Sequence, residues 1–125
     1  MKTENVIQSK SFDFALKIIA LFKNLVKENE YVLSKQLLRS GTSIGACVEE
    51  SSAAVSKKDF IHKLSIAAKE ARESRYWLKL LKEGELVINV NFDEELLLIN
   101  EIIRILTAII KTSQKPSVAL AIANN

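Results

Sequence analysis

Glu70-Ala-Arg-Glu73 sets two carboxylates three residues apart, a spacing at which one helix can offer oxygen ligands to a metal. A di-metal site in a helical bundle also needs a Glu-x-x-His from each of two helices, and this chain has one histidine, His62, and no Glu-x-x-His. No metal ligand set is expected. Cys47 is the only cysteine; a thiolate nucleophile needs a base beside it, and His62 lies on another segment. Cys47 therefore reads as a small packing residue of a reducing compartment. Glu49 and Glu50 fall off the apolar face of their helix, which suits a solvated or ion-paired edge better than paired acid and base work. His62 falls opposite the core line of its helix, as a surface or interface residue would. No catalytic residue and no cofactor follow from these residues, so the chain reads as noncatalytic.

Charge is more suggestive. From Lys57 to Lys82 there are eight Lys/Arg against three Asp/Glu, and Arg72, Arg75, Lys79 and Lys82 step along one side at intervals of three and four. Such a stripe can follow a phosphate backbone, each contact adding salt-dependent affinity. Arg39, Lys69, Arg72, Arg75 and Lys79 are then the residues that meet RNA or DNA. The other reading is a solvated face, in which Glu70 and Glu73 pair locally and Arg75 and Lys82, near the apolar band, pair with a neighbouring helix. A net charge of +3 and a pI near 9.0 permit an anionic partner without demanding one.

Gln36 to Glu50 reads as a helix made largely of small residues. Gly41 and Gly45 inside a helix each cost about 1 kcal/mol relative to Ala, so close packing must offset them. Gly41, Gly45, Val48 and Ser52 share one face, along which a neighbouring backbone can approach. A phosphate-binding Gly-rich loop is the other use of two nearby glycines; no strand precedes them and no Lys-Ser/Thr pair follows.

Four helices must position these residues. With three Gly and one Pro in 125 residues, long uninterrupted helices are expected, and 48% apolar residues suffice for one core without metal or disulfide. Ser9 or Ser11 can cap a first helix, placed at about 11–30; Ser34 can cap a second, at about 34–55. Ser56-Lys-Lys-Asp59 has the layout of a capping box for a third, at 57–83, with Gly84 as its stop. Leu86-Val87-Ile88 reads as a loop with its apolar residues tucked down. Asn91 and Glu94 introduce a fourth helix at about 92–113, and 114–125 forms a tail after Pro116, either frayed or laid on a neighbour. Short connections favour an all-α, antiparallel up-down-up-down four-helix bundle.

Apolar residues on the first helix (Ala15, Ile18, Phe22 and Leu25; Phe12, Ile19 and Val26; Phe14 and Leu21) and around most of the fourth exceed what one core can hide. A homo-oligomer is expected. The first ten residues lack an apolar core before a cleavage site, so no signal peptide is expected. No window is apolar enough to span a membrane, and a cytoplasmic location follows.

Gln36-Leu-Leu-Arg-Ser-Gly-Thr-Ser-Ile-Gly-Ala46, Glu49-Glu50, Asp59-Phe60-Ile61, Lys63-Leu64, Ala68-Lys-Glu-Ala-Arg-Glu73 and Tyr76-Trp77-Leu78 together resemble the four-helix-bundle proteins encoded by intervening sequences of bacterial 23S ribosomal RNA genes. That family includes the accessory proteins of diversity-generating retroelements. The resemblance covers about Ser9 to Ser113, and Cys47 stands where many relatives have Asn. It implies an antiparallel bundle assembled into a ring, commonly a pentamer, and a noncatalytic protein. In the retroelement members it also implies basic surfaces that bind nucleic acid and a reverse transcriptase, so such a partner encoded nearby is an expectation. The alternative is a protein-interaction module that binds no nucleic acid.

Overall fold

The computed structural model describes residues 2–116. They form four helices: α1 (Lys2–Lys27), α2 (Leu33–Ser51), α3 (Lys57–Glu83) and α4 (Asp93–Ser113). Among the described residues there is no strand, so the fold is all-α. α1 packs on α2 and α4, and α3 packs on the same two, while the diagonal pairs make no such approach. The four helices therefore form a bundle around one core. The expected apolar tail lies mostly beyond residue 116, outside the described residues.

The helix ends differ from the sequence expectation in instructive ways. Ser11 does not cap α1, which already begins at Lys2; it is buried in mid-helix, its hydroxyl donating to the Gln8 carbonyl at 3.2 Å. α1 ends in a left-handed turn at Asn29 (φ 63°), where Glu30 N–H donates to Leu25 O and Asn29 N–H to Val26 O. Ser34 does not cap α2 either. Glu30 does, its carboxylate accepting from the backbone N–H groups of Leu33 at 2.9 Å, Val32 at 3.3 Å and Ser34 at 2.6 Å, while the Ser34 hydroxyl donates back to Glu30 O.

α2 stops at Ser51 rather than Val55. The hydroxyls of Ser51 and Ser52 donate to the carbonyls of Val48 and Glu49, and the next N–H groups bond three residues back, tightening the chain out of the helix. Val55, the last residue of the expected helix, is exposed. Before α3, Asp59 N–H donates to Ser56 Oγ at 3.0 Å, and the Asp59 carboxylate reaches back to Val55 N–H rather than to Ser56. At the end of α3, Gly84 has an ordinary φ of −77°, and glycine is needed there because a Cβ would come within 2.7 Å of the Leu80 carbonyl oxygen. The left-handed residue is Glu85 (φ 53°). Of Leu86-Val87-Ile88 in the following loop, Val87 turns inward while Leu86 and Ile88 are exposed, and Val90 further on packs partly against the core.

The core line of α1 is Ile7, Phe14, Ile18, Leu21 and Leu25, joined by Ser11. Ile18 and Leu25 of the first expected stripe, with Phe14 and Leu21, lie on that line, Ala15, Phe22 and Val26 beside it, and Phe12 and Ile19 outside it. Leu37, Ile44 and Val48 of α2, Leu64, Ala67, Ala71, Leu78 and Leu81 of α3, and Ile99, Ile102, Ile103, Leu106 and Ile109 of α4 complete the core. Most of the apolar excess of α4 is half-buried within the chain, leaving Leu97 exposed. An outward apolar face remains on α1: Phe12 is 64% exposed, Leu16 52% and Ile19 39%.

α2 is the close-packing helix. A Cβ on Gly41 would meet the Ile18 side chain of α1 at 3.0 Å, and one on Gly45 would sit 3.5 Å from the Ser11 carbonyl oxygen. On the other side of α2, the buried hydroxyls of Ser40 and Ser74 lie 2.8 Å apart, and Ser74 Oγ lies 2.9 Å from the Glu70 carbonyl oxygen. Small side chains on both flanks let α1 and α3 approach α2.

Candidate nucleic-acid interface

Arg39 leaves α2 toward α3 and spreads its guanidinium over two carboxylates: Nη1 donates to Glu70 at 3.1 Å and Nη2 to Glu73. Glu73 also accepts from the indole N–H of Trp77 at 3.0 Å. The Trp77 hydrogen bond and then the Arg39 fork hold the Glu73 carboxyl below the usual range, against the opposing effect of burial. The hydrogen bond that Arg39 donates to Glu73 is likewise the largest effect raising Arg39. Fork geometry suits arginine to this place. Its donors are turned onto protein carboxylates, and Glu70 and Glu73 find their cation across the helix interface instead of locally.

The consequence falls on α3. Lys69, Arg72 and Lys79 are exposed, and among the described residues none of them has an ion-pair partner within reach. Arg75 and Lys82 turn toward α4, Arg75 donating to Asn100 Oδ1 at 3.0 Å and Lys82 to Asp93 at 2.7 Å. Of the five cations named from sequence, three thus share the outward face of α3, one is shared with α4 and one bridges the acidic pair. Arg104, exposed on α4 one turn from Asn100, adds a cation that the sequence reading passed over. Tyr76, between Arg72 and Lys79, is 57% exposed.

The remaining chemistry-bearing groups stand apart. Cys47 is half-buried on α2, and burial, with the nearby Glu50 and Glu70 charges, pushes its thiol up, away from thiolate character. Lys63 pairs with Glu50 at 3.1 Å, making the Glu49-Glu50 edge partly ion-paired. His62 is exposed in a shallow hollow with Ser56, Lys58 and Asp59. Among the described residues no group of three His, Cys, Asp or Glu is placed to hold a metal. A larger polar hollow, about 470 Å³, lies between α1, the α3–α4 loop and the start of α4, lined in part by Lys17, Asn24, Lys27, Asn91 and Glu95. Burial raises the Glu95 carboxyl, whose Oε1 has no hydrogen-bond partner among the described residues. Lys17 at the rim is tied to Glu94. No helix among the described residues is long and apolar enough to cross a membrane.

Comparison with known proteins gives the family. No curated protein matches the sequence. The model of the 23S rRNA-intervening sequence protein family matches residues 3–108. Among solved structures, the 1.70 Å crystal structure of a protein with unknown function from the S23 ribosomal protein family, from Bacteroides thetaiotaomicron VPI-5482, is similar at 46% identity and a TM-score of 0.83, covering 87% of this chain and 98% of that one. With its small-residue helix packed between two neighbours in a four-helix bundle, this chain belongs to the 23S rRNA-intervening sequence protein family.

Proposed function

We propose that the protein is a noncatalytic, homo-oligomeric four-helix bundle of the cytoplasm that associates with RNA through the outward face of α3. One observation carries this reading. Arg39 pairs with both Glu70 and Glu73, the only acids between Lys69 and Lys82, and offsets one of their two charges, while Lys69, Arg72 and Lys79 are exposed with no ion-pair partner within reach among the described residues, so positive charge predominates on the outward face.

The helices are read as alternating up and down. Cross-helix pairs support this, since partner numbers fall as residue numbers rise: Lys10 with Glu101 and Lys17 with Glu94 between α1 and α4, and Arg75 with Asn100 and Lys82 with Asp93 between α3 and α4. Gly41 near Ile18 with Gly45 near Ser11, and Arg39 near Glu73 with Glu50 near Lys63, repeat the pattern on the two flanks of α2.

The apolar patch of Phe12, Leu16 and Ile19 supports self-association. It equally favours the second reading, a protein-interaction module whose partner, such as a reverse transcriptase, is encoded nearby. The triple variant Lys69→Gln, Arg72→Gln, Lys79→Gln separates the two. On the RNA reading it loses most of its affinity for a labelled RNA in an anisotropy titration while keeping its oligomeric mass. Wild-type protein that gives no anisotropy change at low salt moves the second reading to the front.

A further inference from the structure

We infer that the outward face of α3 is a single-strand platform, in which Tyr76 stacks against an unpaired base while Lys69, Arg72 and Lys79 hold the flanking phosphates. The inference rests on the basic-face reading above and narrows it to one class of nucleic acid.

Lys69, Arg72, Tyr76 and Lys79 follow one another at three, four and three residues on an uninterrupted helix. At 3.6 residues per turn they fall within an arc of about 80° and span about 15 Å. Tyr76 is 57% exposed, an apolar ring face with cations before and after it. A surface built only to bind phosphate has no use for that ring, and a solvated face does not favour it. Every base presents a π-face, and base–aromatic stacking beside a positive track is the common design for single-strand binding. In a duplex those faces are already stacked on each other and closed to a side chain.

The ring is also braced. Tyr76 meets Trp77 edge to face, with centroids 5.3 Å apart and an interplanar angle of 64°. Trp77 is itself fixed by its hydrogen bond to Glu73, which Arg39 holds in turn. A platform anchored through three residues into the α2–α3 interface loses little side-chain freedom when a base lands on it. Trp77 is the only tryptophan, so its emission reports on what reaches Tyr76.

The test titrates the full chain at low salt with single-stranded RNA, single-stranded DNA and duplex RNA of one length, following Trp77 emission and the anisotropy of labelled strands. The single strands are expected to bind at least tenfold tighter than the duplex and to change Trp77 emission. Tyr76→Leu, which keeps apolar bulk, is expected to weaken single-strand binding 5- to 100-fold with an unchanged salt slope, and Tyr76→Phe to bind as wild type does. Stronger binding of RNA than DNA adds a 2′-hydroxyl contact to the platform; equal binding assigns it to base and phosphate alone. Wild-type affinity in Tyr76→Leu, or a duplex bound as tightly as a single strand, overturns the inference and leaves the basic-face reading standing. Binding to none of the three strands removes both. A Tyr76→Leu protein whose oligomeric mass falls while its RNA affinity holds makes Tyr76 a subunit contact and likewise overturns the inference.

Discussion

Glu30 shows how much one side chain can arrange. It closes the α1 terminus through its backbone N–H and opens α2 through its carboxylate, which three N–H groups share. Glu30→Ala removes those acceptors and is expected to cost about 1–2 kcal/mol, read as a lower urea midpoint with unchanged slope; Glu30→Gln, which keeps the oxygen, should lose less. Sequence reasoning chose Ser34 because serine is the usual cap, and nothing in the local pattern shows that a longer carboxylate three residues before the first of the helix reaches the same groups. The partners of Arg39 stay hidden for a related reason: its charge is legible, its carboxylates 31 and 34 residues away are not. Glu73 gives that fork a pH signature. Its folded-state pKa is depressed, so its contribution to stability is present above the ordinary glutamate range near about 4.3 and is lost as pH falls through the folded value. Glu73→Gln is expected to lower Tm at neutral pH, and the gap to wild type should close at acid pH; a gap constant with pH would show that the carboxylate's charge contributes nothing.

At the level of the helix, the small-residue character of α2 was plain from composition, and its use in close packing is what the contacts on its two flanks display. The two glycines differ in a way that spacing could not reveal. A Cβ at position 41 presses on Ile18 at 3.0 Å, inside the core, whereas one at position 45 makes ordinary contact at 3.5 Å with the α1 backbone. Gly45→Ala is therefore expected to stabilise by up to about 1 kcal/mol, the helix propensity gained. Gly41→Ala should gain less or destabilise, since Ile18 must shift. Thermal melts of the two variants, ranked in the opposite order, would contradict the packing described. The inward stripe of α1 was harder to assign because apolar residues surround most of that helix, so periodicity alone fits more than one face. Burial of Ser11 against Gly45, a small residue opposite a small residue, selects the face used.

For the whole molecule, four helices and their order were readable from turn residues and apolar spacing, because each connection is short and carries its own punctuation. Assembly was argued from apolar excess, and the structure relocates that argument: α4 hides most of its excess within the chain, while Phe12, Leu16 and Ile19 are exposed along one face of α1. Phe12→Asp with Leu16→Asp is accordingly expected to reduce the mass seen by light scattering to that of one chain with helicity retained; unchanged mass would place self-association elsewhere. The central claim, that Arg39 spends its charge on Glu70 and Glu73 and leaves Lys69, Arg72 and Lys79 for phosphate, is tested most directly by the salt dependence of RNA binding. With three phosphate contacts per chain, log affinity should fall against log salt with a slope of about −2 for a single strand. Lys79→Gln should lower the magnitude of that slope by about 0.7. Affinity that does not change between low and high salt, or no affinity at either, would contradict the account.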